Sequence, residues 1–175
     1  MKEPGPADRL RPVQQQDLEM ILSWRNHPEV RRYMFTQHEI GLDEHLGWFE
    51  RSSRDERRRL MIFEADGVAC AFVNLTRVGK GEVWDWGFYV APGSPRGTGR
   101  RLGRASLHEA FFRMKVHKLC GQVLAGNERS VRFHEALGFV REGELREQQL
   151  DGQEYRNLIC FGLLRSEYLA REDVP

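Results

Sequence analysis

One stretch constrains the fold more than any other, namely residues 84–107, WDWGFYVAPGSPRGTGRRLGRASL. Aromatic and β-branched residues from Val83 to Val90 predict a strand. A proline- and glycine-rich turn ends it, and apolar residues at helical spacing behind the turn predict a helix. Alternation along the strand predicts two faces, one with Trp84, Trp86, Phe88 and Val90 and the other with Asp85, Gly87 and Tyr89.

The turn itself, Arg96-Gly97-Thr98-Gly99-Arg100, has the composition of an anion-binding loop. Glycines let backbone N–H groups approach a ligand closely, and the N-terminus of the following helix adds a partial positive charge. Together with the arginine side chains, including Arg101, this pattern favours a phosphate or pyrophosphate. The loop lacks the Gly-Lys-Ser/Thr ending of a Walker motif. From the loop alone, a glycine-rich turn beside surface arginines remains an equal alternative.

Charge and cysteine content exclude several classes of function. The chain has 27 basic and 26 acidic residues, so its net charge of +1 favours neither nucleic acid nor a membrane surface. Three cysteines, Cys70, Cys120 and Cys160, are too far apart in sequence for a metal motif, and we expect no metal. Without a signal peptide or an apolar run that could span a bilayer, the predicted location is the cytoplasm.

The predicted organisation is one α/β domain over residues 1–175, with loose ends at 1–8 and 168–175. An Asp66-Gly67 turn predicts a type I′ hairpin, and Gly138 is the expected end of a helix. Besides the central strand and helix, the pattern predicts strands at 9–13, 60–65, 68–78, 118–125, 139–150 and 154–164, and helices at 14–25, 29–35, 42–54 and 127–137.

The order of strand, RGTG loop and helix resembles the coenzyme A signature of the GNAT acetyltransferase superfamily, as does the order of elements throughout. The sixth position of that signature holds Arg101, where the family usually has Gly or Ala. The resemblance implies a mixed sheet of about seven strands flanked by helices, with acetyl-CoA in the splay between the middle strands. It implies coenzyme contacts at Phe88, Tyr89, Val90, Arg96, Gly97, Thr98, Gly99, Arg100, Asn127 and Ser130.

A second segment, from Asn127 to Phe139, resembles the family pattern N-x-x-A/S-x-x-x-Y-x-x-x-G-F. In the family, the asparagine binds the pantetheine arm and the tyrosine is the general acid near the sulfur. His134 occupies the tyrosine position here, and an imidazolium could protonate a departing thiolate. We therefore expect His134 to be the catalytic acid; the alternative is that it only packs against the thioester.

The N-terminal third, from Trp24-Arg25-Asn26-His27-Pro28 onward, resembles a narrower group of N-acetyltransferases. These enzymes act on UDP-4-amino-4,6-dideoxy-N-acetyl-β-L-altrosamine in the pseudaminic acid pathway. The resemblance implies a small nucleotide-sugar acceptor, bound by Arg25, Met34, Phe35, His45, Asn74, Thr76, Arg77 and Tyr89. Asp85, on the same strand face as Tyr89, is the expected general base, with a structural hydrogen-bonding role as the equal alternative.

Two other functions remain open from the sequence. Ribosomal-protein N-terminal acetyltransferases and polyamine acetyltransferases share the WR-x-x-P-E-V start found at Trp24 to Val30. A coenzyme A-binding domain without catalytic activity is the second alternative, because Arg101 and His134 depart from the family pattern. The expected assembly is a monomer or a homodimer, since a sheet of this kind often leaves an edge that a partner chain could cover.

Overall fold

The computed structural model describes residues 8–171, and seven strands in this range form one mixed sheet in the order β1-β2-β3-β4-β5-β7-β6. All neighbouring strands are antiparallel except β4 and β5, which are parallel. The seven-stranded mixed sheet of the GNAT fold is therefore confirmed. The strands are β1 (Asp8–Pro12), β2 (Arg58–Ala65), β3 (Val68–Val78), β4 (Val83–Val90), β5 (Lys118–Leu124), β6 (Val140–Asp151) and β7 (Glu154–Leu164).

Six α-helices in the described range flank the sheet. Two apolar clusters hold the layers together: a large one shared with α4 and α5, and a smaller one built on Ile21, Leu60, Ile62 and Phe72 beneath α1 and α3. The helices are α1 (Leu18–Asn26), α2 (Pro28–Arg31), α3 (Leu42–Ser53), α4 (Thr98–His108), α5 (Glu128–Leu137) and α6 (Arg165–Ala170). None of these six helices is long and apolar enough to cross a membrane.

The middle of the sheet is split, and this split positions the site. β4 and β5 pair only at Val83–Lys118, Trp84–Leu119 and Asp85–Cys120. Beyond these pairs, β4 remains bonded to β3 as far as Val90, and β5 remains bonded to β7 as far as Leu124. The two strands therefore diverge, and the facing edges leave backbone N–H and C=O groups without a strand partner.

The predicted turns are confirmed. Asp66 and Gly67 have φ values of 53° and 79°, as a type I′ turn requires at both central positions. Gly138 has a φ of 91° and ends α5 in the left-handed conformation that glycine adopts without strain.

Three expectations need correction. The expected helix at 29–35 ends at Arg31, and a turn follows it. The loose ends are shorter than expected, because Asp8 begins β1 and α6 brings Tyr168 into the core, where it is 1% exposed. Helix α6 was not predicted. Residues 1–7 and 172–175 of the expected loose ends lie outside the described residues.

Candidate active site

A cavity of about 980 Å³ runs through the split between β4 and β5. One end is lined by residues 29, 30 and 32–35 at and after α2, and the other end by residues 91–99, before and at the start of α4. The walls between come from β4, β5 and α5, including Gln122 and Phe133. The cavity therefore joins the glycine-rich loop to the N-terminal third of the chain.

The glycine-rich loop has the geometry expected of an anion site. Gly97 has a φ of 91°, a conformation open to glycine, and it precedes the first turn of α4. The Thr98 hydroxyl is used inside the loop, since it donates to the Pro95 carbonyl oxygen at 2.8 Å. Arg96, Gly97, Thr98 and Gly99 line the cavity, whereas Arg100 is exposed and lies outside it.

Arg101 points away from the loop and towards the outer strands. Its Nε donates to Asp8 Oδ1 at 2.8 Å, and its Nη1 donates to Asp66 Oδ2 at 2.9 Å. The guanidinium is therefore engaged by two carboxylates and does not belong to the set of free cations around the loop.

Six further residues expected at the coenzyme or the thioester line the walls of the cavity: Phe88, Tyr89, Val90, Asn127, Ser130 and His134. Asn127 caps α5, and its Oδ1 accepts a hydrogen bond from the Ser130 backbone N–H at 3.2 Å. This cap satisfies one of the donors that a helix start leaves open, and it fixes the asparagine at the cavity wall.

His134 is 2% exposed, and both of its ring nitrogens have partners. The Trp86 indole N–H donates to His134 Nε2 at 3.2 Å, and His134 Nδ1 lies 2.8 Å from the Ser130 carbonyl oxygen. Because an indole can only donate, Nε2 carries the lone pair, and the proton is on Nδ1. Burial among aromatic rings lowers the pKa of His134 below the ordinary value for histidine, which also favours the neutral ring.

The expected role of His134 as catalytic acid is therefore not supported by its geometry. In a neutral imidazole only one ring nitrogen carries a proton, and here that N–H is hydrogen-bonded to the Ser130 carbonyl oxygen. It therefore has no proton to give to a thiolate. The side chain instead connects α5 to β4 through Trp86. Sequence could not reveal this, because the partner indole is 48 residues away.

Asp85 lies half-buried on the opposite face of β4 and lines the cavity. Burial raises the pKa of its carboxyl group. Its side chain has no hydrogen-bond partner in residues 8–171, and across the strands it faces Thr76 on β3 and Cys120 on β5. A partly desolvated, unpaired carboxylate in a cavity has the properties of a general base.

The same cavity wall carries five of the expected acceptor residues: Met34, Phe35, Asn74, Thr76 and Tyr89. Burial raises the pKa of Tyr89, which keeps the phenol protonated. Glu29, Arg32, Tyr33, Gln122 and Arg129 also line the cavity and were not predicted. The sequence could have indicated Gln122, because side chains alternate along β5 and Gln122 lies on the same strand face as Cys120.

The other three expected acceptor residues do not line the cavity. Arg77 closes the β3–β4 turn, where it donates to the Gly81 carbonyl at 2.8 Å and pairs with Glu82. His45 is 4% exposed beside Trp48, with ring centroids 5.2 Å apart. Arg25 donates from Nη2 to the Thr36 carbonyl at 2.7 Å and so supports the loop between α2 and α3.

No group of three or more acidic, histidine or cysteine side chains in residues 8–171 is arranged to hold a metal ion. The features that converge on the cavity are the split strands, the glycine-rich loop and the amide at the start of α5. These suit an elongated donor with a phosphate end and an amide-rich arm.

The sequence model of the GNAT acetyltransferase domain matches residues 9–140. The chain belongs to this family. The expectation of an acetyl-CoA-dependent acetyltransferase is thereby confirmed for this GNAT protein. Membership in this family does not determine which amine accepts the acetyl group.

Two curated relatives of this GNAT protein differ in what their names say. The spermidine N(1)-acetyltransferase of Escherichia coli K12 is 25% identical over 169 residues, which cover 95% of this chain and 91% of the relative. The acetyltransferase PseH of Campylobacter jejuni strain 81-176 is 27% identical over 128 residues, which cover 71% of this chain and 78% of the relative.

A solved structure supports the fold assignment. The spermidine N-acetyltransferase of Vibrio cholerae, in complex with CoA and spermine, matches this GNAT protein with a TM-score of 0.86 at 24% identity. The match covers 93% of this chain and 98% of that chain. At this identity it establishes the shared fold.

Proposed function

We propose that this GNAT enzyme transfers the acetyl group of acetyl-CoA to the primary amine of a nucleotide-linked amino-deoxy sugar. The candidate acceptor is UDP-4-amino-4,6-dideoxy-N-acetyl-β-L-altrosamine. The observation that carries the proposal is the lining of the acceptor end, which combines apolar and aromatic side chains with an amide and a hydroxyl. The members of that lining are Val30, Tyr33, Met34, Phe35, Asn74, Thr76 and Tyr89.

Flat and adaptable apolar side chains suit a base and a deoxysugar, while Asn74 and Thr76 suit ring hydroxyl and acetamido groups. A diphosphate needs a cation, and Arg32 is the guanidinium that lines this end of the cavity. Its carbon Cζ lies 4.5 Å from the centre of the Tyr33 ring, a contact that holds the cation near the apolar wall. In this proposal Arg32 replaces Arg25, His45 and Arg77, which were expected at the diphosphate and do not line the cavity.

The reaction that fits the site is direct attack in a ternary complex. The neutral amine attacks the thioester carbonyl, an N–C bond forms, and the C–S bond breaks. Asp85 accepts the proton that the amine loses, directly or through one water molecule. Its carboxylate is suited to this because burial raises its pKa.

The two other charges that develop fall on the carbonyl oxygen and on the sulfur. Backbone N–H groups of β4 between Phe88 and Val90, on the edge that faces the split, stabilise the oxyanion. The departing thiolate takes its proton from water in the open cavity, because His134 is already committed to Trp86 and Ser130.

A polyamine is the second candidate, favoured by one observation. The spermidine acetyltransferase relative covers 95% of this chain, compared with 71% for PseH. A polyamine carries several ammonium groups, which need carboxylates. The cavity wall at this end offers Glu29 and Asp85, and Arg32 lines it as well. Once Asp85 acts as the base, Glu29 alone remains to neutralise several ammonium groups, and Arg32 repels them, which favours the nucleotide sugar.

The test is a thiol-release assay with acetyl-CoA and three acceptors in parallel: the UDP-linked 4-amino sugar, spermidine, and a peptide with N-terminal alanine. Arg32→Ala is the site variant, and Arg31→Ala, the neighbouring guanidinium outside the cavity wall, is its matched control. We expect release with the nucleotide sugar, and a KM for it that rises about tenfold in Arg32→Ala alone.

Release with spermidine or the peptide would keep the enzyme class and refute the nucleotide-sugar acceptor. No release with any of the three, despite measurable coenzyme binding, would refute all three acceptors and would indicate a different amine.

A further inference from the structure

Arg101 connects three separate parts of the fold. It sits in the first turn of α4, directly after the glycine-rich loop, and its guanidinium reaches Asp8 at the start of β1 and Asp66 in the β2–β3 turn. Its partners are 93 and 35 residues away in sequence. The arrangement therefore fastens the start of α4 to the outer strands.

The two ion pairs differ in their surroundings. The Asp8 side chain is 9% exposed and receives both Nε and Nη2, whereas the Asp66 side chain is 67% exposed and receives Nη1. Both nitrogens donate to the single oxygen Asp8 Oδ1. A pair that is partly buried and held by two donors keeps its geometry better than an exposed one. The contact with Asp8 is thus the main constraint, and Asp66 adds to it.

The orientation of this turn matters for anion binding. Arg101 N–H donates to the Gly97 carbonyl at 3.1 Å, so the residue that is fastened also closes the first helical turn behind the loop. The N–H groups of a helix start bind an anion only along their own direction. A small rotation of the turn would misdirect them without unfolding the helix.

We propose that Arg101 is a positioning residue for the coenzyme, acting through the loop at 96–99 and not through contact with the phosphates. The proposal rests on the use of this loop by acetyl-CoA. The guanidinium of Arg101 ties the loop to Asp8 and Asp66 from outside the cavity. Coenzyme affinity therefore depends on two carboxylates that face away from the cavity.

The experiment measures coenzyme A binding by calorimetry, with no acceptor present. Arg101→Ala is compared with Arg104→Ala, which removes the same charge from an exposed position of the same helix. We expect the dissociation constant to rise about tenfold in Arg101→Ala, since small misplacement of binding groups is costly. We expect less than a twofold change in Arg104→Ala, as exposed charges contribute little.

Asp8→Asn and the double variant separate positioning from general damage. If the ion pair transmits the effect, Asp8→Asn weakens binding in a similar way, and the double variant is no worse than Arg101→Ala. In turnover assays, the KM for acetyl-CoA rises while kcat stays within twofold. Should Arg101→Ala fail to fold, Asp66→Asn tests the exposed half of the brace, with a smaller rise expected.

Equal affinities in Arg101→Ala and Arg104→Ala would overturn the proposal, as would additive effects in the double variant. A wild-type protein that binds no coenzyme A would refute the use of the loop itself, which is a failure of the proposed function and is recognisable as such before any variant is made.

Discussion

At the scale of single residues, burial acts on two titratable groups in opposite directions and favours the neutral form of both. It raises the pKa of Asp85 and lowers the pKa of His134. Asp85 has no hydrogen-bond partner in residues 8–171, whereas His134 is bonded at both nitrogens. The first group is therefore able to exchange a proton with a substrate, and the second is not.

Replacing Asp85 by Asn removes the proposed base and keeps the shape of the side chain. We expect kcat to fall about 10²-fold, the lower range for general base catalysis. In the wild type, activity rises with pH as the carboxyl group ionises, and this rise lies above the ordinary range for aspartate because its pKa is raised. The variant loses that limb of the pH–rate profile.

The control for Asp85→Asn is Asp43→Asn, the same change on the exposed surface of α3. Unchanged turnover and an unchanged pH profile in Asp85→Asn would remove this residue from the mechanism.

His134 should make the folded state sensitive to mild acid. The unfolded imidazole titrates near pH 6.5, and in the folded protein its pKa is lower. As pH falls below about 6.5, the unfolded chain takes up a proton first, so the free energy of unfolding decreases. His134→Phe should reduce this slope below about pH 6.5, and should cost about 1–3 kcal/mol at neutral pH because the Trp86 N–H loses its acceptor.

Urea unfolding of the wild type and His134→Phe at several pH values measures the slope. His45, whose pKa burial also lowers, supplies a remaining slope in the variant. Identical slopes in the two proteins would mean that the pKa of His134 is the same in the folded and unfolded states, so the folded imidazole could take up a proton as a free one does, which would restore it as a possible acid.

At the scale of elements, the sequence predicted the bounds well where local signals set them. The strand from Val83 to Val90 is observed over the same residues, and the hairpin turn has the φ values that Asp66-Gly67 requires. Helix α6 spans six residues, too few for an apolar period to be recognised. The short α2 ends at Arg31. The apolar residues after it, Tyr33, Met34 and Phe35, line the cavity and do not continue a helical face.

The contact between α5 and β5 depends on a glycine. A Cβ atom at Gly121 would lie 2.6 Å from His134 Nε2 and 2.9 Å from Trp86 Nε1. Gly121→Ala should therefore separate the two rings and cost about 1–3 kcal/mol in the free energy of unfolding. Gly143→Ala is the matched control on the edge strand β6, since its Cβ would meet nothing within 4 Å. Equal urea midpoints for the two variants would contradict the close packing at Gly121.

At the scale of the whole molecule, the site depends on contacts that no local pattern displays. Arg101 was expected among the phosphate-facing cations, and it is bound by an aspartate 93 residues away. Arg77 was expected at the acceptor, and it closes a turn of its own hairpin. Sequence identifies which residues are able to bind anions, but the partner that engages each of them depends on the tertiary fold.

The C-terminal segment is a second example, because Tyr168 fell in an expected loose end. Its ring packs against Phe111 with centroids 4.9 Å apart, and it is 1% exposed. Tyr168→Ala should cost about 3–5 kcal/mol, as for other large aromatic residues removed from a core. Tyr155→Ala, on a side chain that is 64% exposed, should leave the unfolding midpoint nearly unchanged. A similar midpoint for both variants would show that the segment contributes nothing to the core.

The short pairing between β4 and β5 has a mechanical consequence. Three residue pairs form a seam between a four-stranded panel, β1 to β4, and a three-stranded panel, β5 to β7. Twisting one panel against the other about this seam changes the width of the cavity and breaks no ladder hydrogen bond beyond the seam. A ligand that forms hydrogen bonds with the free edges of both β4 and β5 therefore holds them at a fixed distance. Binding of the donor makes the middle of the sheet stiffer.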